Sequence, residues 1–183
     1  MIRLAQRREF LKVIIMRHGY AESPSYRSDD FFRALTIEGN QLAYKAARGL
    51  LTIIPHLDQI VTSPIKRARQ TAEIFGEVYQ FVPNEITSRS FLAESDVIQY
   101  FDKIRDLPGE VILFVGHLPM VSQFVELALP ATQSRLSFDP TTVVILEFKA
   151  GALPRKAVLR GHYTCEQLVM LMPSTNESDR VAE

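Results

Sequence analysis

The chain has 183 residues, 46% of them hydrophobic, with 21 basic and 21 acidic side chains and a formal net charge of zero. This fits one globular domain, and the charge balance speaks against nucleic acid or an anionic membrane as the main partner. The single cysteine, Cys165, excludes an intrachain disulfide, and the longest apolar run near the N-terminus, Val13-Ile14-Ile15-Met16, is too short for a signal-peptide core or a membrane span, so a cytoplasmic location is expected.

In chain order, residues 1–10 read as a basic N-terminal extension, 11–172 as the folded domain and 173–183 as a loose polar tail. Leu11–Met16 is expected to form a buried strand. Thr36 is positioned to cap a helix running to Leu51, with Leu42, Ala46, Ala47 and Leu50 on one face. Gln59–Thr62 reads as a second strand. Ser63-Pro64 then predicts a helix start, serine as the cap and proline at the first helical position, with the helix continuing to Val78.

A helix over Val97–Arg105, a strand over Glu110–Val115, a helix over Leu118–Leu129 and a strand over Thr142–Phe148 follow, and residues 156–160 suggest an edge strand. Alternating apolar strands and helices imply an α/β fold, a mostly parallel sheet covered on both faces. In such folds the site lies beyond the carboxyl ends of the strands.

Three segments stand at those ends. The first strand runs into Arg17-His18-Gly19, the second into Ser63-Pro64-Ile65-Lys66-Arg67, and the third into Gly116-His117. Each has a plain explanation by itself: a short tripeptide occurs by chance, a histidine after a strand is often a packed core residue, and Arg67 and Arg69 suit a solvated helix face. Two histidines and two arginines at one sheet edge, from distant parts of the chain, are seldom a chance scatter.

The segments IIMRHGYAE (14–22), ALTIEG (34–39), TSPIKRARQTAE (62–73) and VGHLPMVS (115–122) resemble, in order and spacing, the histidine phosphatase superfamily, and within it the short SixA-type phosphohistidine phosphatases. The resemblance extends from about residue 11 to residue 148. It implies a phosphoglycerate-mutase-like three-layer αβα sandwich and a metal-independent, cofactor-free phosphatase. His18 would be the nucleophile, with Arg17, Arg67 and His117 holding the phosphoryl oxygens.

The family's acid corresponds to Glu94 or, by a small shift of register, Asp96; both also suit an exposed helix start. Phosphorylated protein or a small phosphoester is the expected substrate partner. A small-metabolite phosphatase or mutase of the same fold, and a phosphate-binding module without turnover, remain alternatives. Gly19 is expected where the backbone turns closely. Tyr20, Tyr26, Arg27 and Arg33 lie in the loop that follows and are candidates for the rim of an open, shallow site, or ordinary loop residues.

Other chemistries lack support in the sequence. Cys165 is followed six residues later by Leu171 rather than arginine, which breaks the cysteine-phosphatase spacing, and reads as a packed or surface thiol. There is no G-x-x-x-x-G-K-[ST] loop and no G-x-G-x-x-G run. His18, His56, His117 and His162 are not at metal-ligand spacings, and His162 reads as a surface or packing residue.

Overall fold

The structure, a computed structural model, describes residues 9–24, 29–89, 97–129, 136–149 and 156–173. The expected N-terminal extension, apart from its last two residues, and all but the first residue of the expected tail lie outside them. Strand β1 (Phe10–Arg17) is a run of apolar residues buried on both faces. Helix α1 (Ile37–Ile53) starts where Thr36 accepts a hydrogen bond from the Gly39 amide. Strand β2 (Gln59–Thr62) leads to helix α2 (Lys66–Val78).

A two-residue strand β3 (Thr87–Ser88), helix α3 (Ile98–Arg105), strand β4 (Val111–Gly116), helix α4 (Met120–Ala128), strand β5 (Val143–Lys149), strand β6 (Val158–Tyr163) and helix α5 (Cys165–Leu171) complete the order. No helix among the described residues is long and apolar enough to cross a membrane.

The six strands form one sheet in the order β3-β2-β4-β1-β5-β6. The β3-β2-β4-β1 half is parallel, whereas β5 runs antiparallel to β1, and β6 antiparallel to β5 at the edge. Alternate residues of β1 feed two cores. Val13 and Ile15 pack with Tyr100, Phe101 and Phe124 under α3 and α4. Ile14 and Met16 pack with Ala47, Ala72, Phe75 and Leu168 under α1, α2 and α5. The result is the three-layer αβα arrangement read from the alternation of elements.

Three local expectations are corrected. Ser63 does not cap α2. Its amide donates to the Val115 carbonyl at 2.9 Å, which keeps the chain in the sheet direction through Ser63, and the helix begins at Lys66 with Ile65 as an N-cap that offers no side-chain bond. Leu42 is only partly buried, and the inward face of α1 is made by Gly39, Ala43, Ala46, Ala47, Gly49 and Leu50. The edge strand falls at 158–163 rather than 156–160.

Small residues on α1 allow α5 to dock against it. A methyl group on Gly49 would run into the Leu168 carbonyl in the middle of α5. Gly49→Ala is therefore expected to destabilise the fold by about 1–3 kcal/mol through overpacking, despite the better helix propensity of alanine. Urea unfolding checks this, and a stability equal to or above wild type would show that the α1–α5 contact yields freely.

Candidate active site

The carboxyl ends of β1, β2 and β4 meet at one edge of the sheet. Residue pairing puts Arg17 beside Gly116, and His18 extends the ladder by donating from its amide to the Gly116 carbonyl at 2.9 Å. This pairing brings Arg17-His18 next to His117. Arg67 arrives from the first turn of α2. A cavity of about 240 Å³ opens there, lined by Arg17, His18, Gly19, Tyr20, Ala21, Arg33, Arg67, His117, Leu118 and Pro140. The four side chains singled out at three strand ends thus share one pocket.

His18 and Arg67 are both only 6% exposed. The His18 Nδ1 lies 2.8 Å from the Gly19 carbonyl oxygen, which can only accept, so Nδ1 carries the proton. Arg67 Nε–H, which can only donate, points at His18 Nε2 from 2.9 Å, so Nε2 presents a lone pair. The two partners together admit a single state, the neutral imidazole protonated on Nδ1. Burial pushes the His18 pKa down to about 4; the Gly19 carbonyl opposes this, and the charges of Arg67, Arg17 and His117 reinforce it.

The backbone around His18 is pinned from several elements. Arg17 N–H donates to the Thr142 carbonyl, and Thr141 N–H donates to both the Arg17 and His18 carbonyls, each at 3.1 Å. Gly19 N–H donates to Thr71 Oγ1 at 3.0 Å, and that hydroxyl donates in turn to the Arg67 carbonyl at 2.7 Å. Thr71 therefore couples the loop after β1 to the helix carrying Arg67. Arg17 extends NH1 to the Phe138 carbonyl at 2.6 Å, while its Nε is buried with no acceptor among the described residues. His117 donates from Nδ1 to the Leu118 carbonyl at 3.0 Å.

Thr71, Thr141 and Asp30 were not singled out in the sequence. Thr71 stands inside the TSPIKRARQTAE segment, one helical turn after Arg67, which is the signal that could have found it. Thr141 is fully buried with φ +67°, a left-handed conformation unusual for a β-branched residue. Asp30 accepts from Arg67 NH2 at 2.8 Å and from Arg33 Nε at 2.9 Å.

Of the rim candidates, Tyr20 and Arg33 line the cavity, whereas Tyr26 and Arg27 lie outside the described residues, as do Glu94 and Asp96. Arg69 pairs with Glu73 on the exposed face of α2. His56 pairs with Asp58, and His162 bonds the Ser137 carbonyl and edges against Phe138. Cys165 is buried at the start of α5, a packed thiol. A Cβ at Gly19 would meet Leu35 and Thr141 at 3.4 Å, an ordinary contact, so the close approach expected there is not what requires glycine. It is Gly39 that meets the backbone closely, against the Tyr20 carbonyl. Among the described residues no group of three or more His, Cys, Asp or Glu side chains could hold a metal ion.

Residues 13–103 match the model of the histidine phosphatase superfamily, branch 1. A phosphohistidine phosphatase SixA homolog of Haemophilus influenzae is 30% identical over 149 residues, 74% of this chain and 87% of that protein. The chain belongs to the histidine phosphatase superfamily. The solved structure of the protein histidine phosphatase SixA complexed with tungstate superposes with a TM-score of 0.72 at 22% identity, covering 86% of this chain and 99% of that one. Phosphoglycerate mutase from Plasmodium falciparum shares the fold at a TM-score of 0.61 and 20% identity, over 84% and 91% of the two chains.

The depressed pKa of His18 has a direct consequence. The unfolded imidazole titrates near 6.5 and the folded one near 4, so the unfolded state takes up the proton first as pH falls. His18 then contributes stability that is whole above about pH 6.5 and is lost progressively toward pH 4. The expected result is an NMR titration midpoint near 4 for His18, with a shallower acid loss of stability in His18→Asn. A midpoint at or above 6.5 would contradict the dominance of burial.

Proposed function

We propose that the chain is a metal-independent phosphatase that hydrolyses phosphomonoesters or phosphohistidine through a covalent phosphohistidine on His18, acting as a SixA-type protein phosphohistidine phosphatase. The observation that carries the reading is the unprotonated His18 Nε2, which accepts from Arg67 Nε at 2.9 Å beside a cavity lined by Arg17, Arg33, Arg67 and His117. In-line attack on phosphorus needs that lone pair, which comes free once Arg67 passes its Nε–H to a phosphoryl oxygen, and fixed cations are what a transferring phosphoryl group needs. Three guanidiniums give the pocket the positive charge that a metal would bring in other phosphatases.

In the first step His18 Nε2 forms a bond to phosphorus as the bond to the leaving group breaks. Arg17 and Arg67, with His117, hold the equatorial oxygens. In the second step water attacks the phosphohistidine, releases inorganic phosphate and restores the Nε2 lone pair. Glu94 is proposed to protonate the leaving group, with Asp96 as the other choice. An alkoxide needs that proton. An imidazole leaves readily without a dedicated acid, because its conjugate acid has a pKa near 6.5. The family membership and the SixA homolog support the reading of phosphohistidine protein as substrate.

His18→Ala is expected to abolish turnover. Arg17→Ala or Arg67→Ala should lower it by roughly 10²–10³, the loss typical for transition-state donors. Mass spectrometry of the rapidly quenched enzyme should find phosphate on His18, and its attachment elsewhere would overturn the assignment. Assays with a phosphohistidine protein beside a panel of small phosphoesters test the substrate. A preference for alkyl phosphates would favour the small-metabolite reading.

A further inference from the structure

We infer that Asp30 is a positioning residue that holds Arg67 by the outer edge of its guanidinium so that the inner edge faces His18 Nε2. Arg67 NH1 donates to the Asp30 carbonyl at 2.7 Å and NH2 to Asp30 Oδ2 at 2.8 Å, while Nε reaches His18 Nε2 at 2.9 Å. One residue thus takes both terminal nitrogens and leaves the third aimed at the pocket. The geometry stands by itself; its effect on turnover rests on the reading of His18 as the nucleophile.

Asp30 is itself braced. It opens a short 3-10 turn, Asp30–Phe32, capped by Asp29, whose side chain accepts from the Phe31 amide at 2.9 Å. Its other carboxylate oxygen accepts from Arg33 Nε at 2.9 Å, and Arg33 is tied in turn to the Glu22 carbonyl at 2.7 Å. A single carboxylate therefore spans two of the guanidiniums that line the cavity and offsets their mutual repulsion. Burial pushes its pKa up, and the hydrogen bond and charge of Arg67, with those of Arg33, outweigh this and hold it below the usual carboxylate range.

The Asp30 side chain is 58% exposed, and ion pairs so placed add little to stability. Its contribution is to geometry. Without the carboxylate the outer edge of Arg67 is held by the residue-30 carbonyl alone and can tilt, and a misplacement of about 1 Å in a transfer site costs up to about a hundredfold in rate.

The test uses the full chain with p-nitrophenyl phosphate. Asp30→Ala should remain folded and lose roughly 10- to 100-fold in kcat, with KM changed by less than about threefold. Asp30→Asn keeps a side-chain oxygen and the carbonyl for Arg67, and should lose only about three- to tenfold. In NMR spectra the Arg67 Nε–H resonance, sheltered in wild type, should exchange rapidly with water in Asp30→Ala and persist in Asp30→Asn. Unchanged kcat in Asp30→Ala with an intact Arg67 signal would overturn the inference. So would a fall in both KM and the inhibition constant of inorganic phosphate at constant kcat, which would make Asp30 a competitor for the anion site. Phosphate trapped on a residue other than His18 would remove the nucleophile reading, and the Arg67 resonance would still decide the role of Asp30.

Discussion

A neutral imidazole buried among guanidinium groups is the arrangement on which the rest of the site depends. Were His18 to take a second proton, Nε2 would turn a donor toward the donor Nε of Arg67, and a buried cation would face others across the pocket. Burial and the charge of Arg67 select the neutral imidazole, and the Gly19 carbonyl and Arg67 Nε–H together select its Nδ1-protonated tautomer. The cost of assembling positive charge without an anion is offset by Asp30, whose carboxylate stays ionised beside Arg67 and Arg33. In the proposed reaction a phosphoryl group entering this pocket meets donors already oriented, which is where electrostatic preorganisation takes effect.

The mixed sheet has a part in this that a wholly parallel one could not play. Parallel neighbours deliver their carboxyl ends to the site, and β4 does so with Gly116-His117. The antiparallel β5 instead delivers its beginning, so Phe138, Thr141 and Thr142 arrive where β1 ends and grip Arg17 and His18 through backbone bonds. Thr141 holds a left-handed conformation to bring its amide onto two carbonyls at once. Such a conformation costs on the order of 1–3 kcal/mol, a strain that persists where surrounding structure over-determines it, as at active sites.

The strands and the residues following them were legible because an apolar run that stops at a charged or histidine residue marks a strand end directly in the sequence. Arg17, His18 and His117 carried that mark, and Arg67 was read from the TSPIKRARQTAE segment that follows the second strand. The failures have physical causes. Ser63-Pro64 satisfies the local rule for a helix start, yet the bond from the Ser63 amide to Val115 belongs to the sheet and delays the helix to Lys66. Helix α5 went unread although Thr164-Cys165-Glu166-Gln167 contains a capping box, which the structure uses. Asp30 and Thr141 leave no sequence mark, since their roles come from which loops the topology brings together.

The charges around the pocket also bear on which leaving group suits it. Asp30 is the carboxylate in contact with Arg67, but two arginines hold it ionised, so it is a poor proton donor at neutral pH. The hydrogen bond from Nε to His18 and those from NH1 and NH2 to Asp30 likewise commit Arg67 to orientation rather than proton transfer. In the proposed reaction the proton for an alkoxide falls to Glu94 or Asp96. In the proposed reaction a leaving imidazole asks for less, because solvent can protonate its ring near neutral pH, and the ionised Asp30 has no part in either departure.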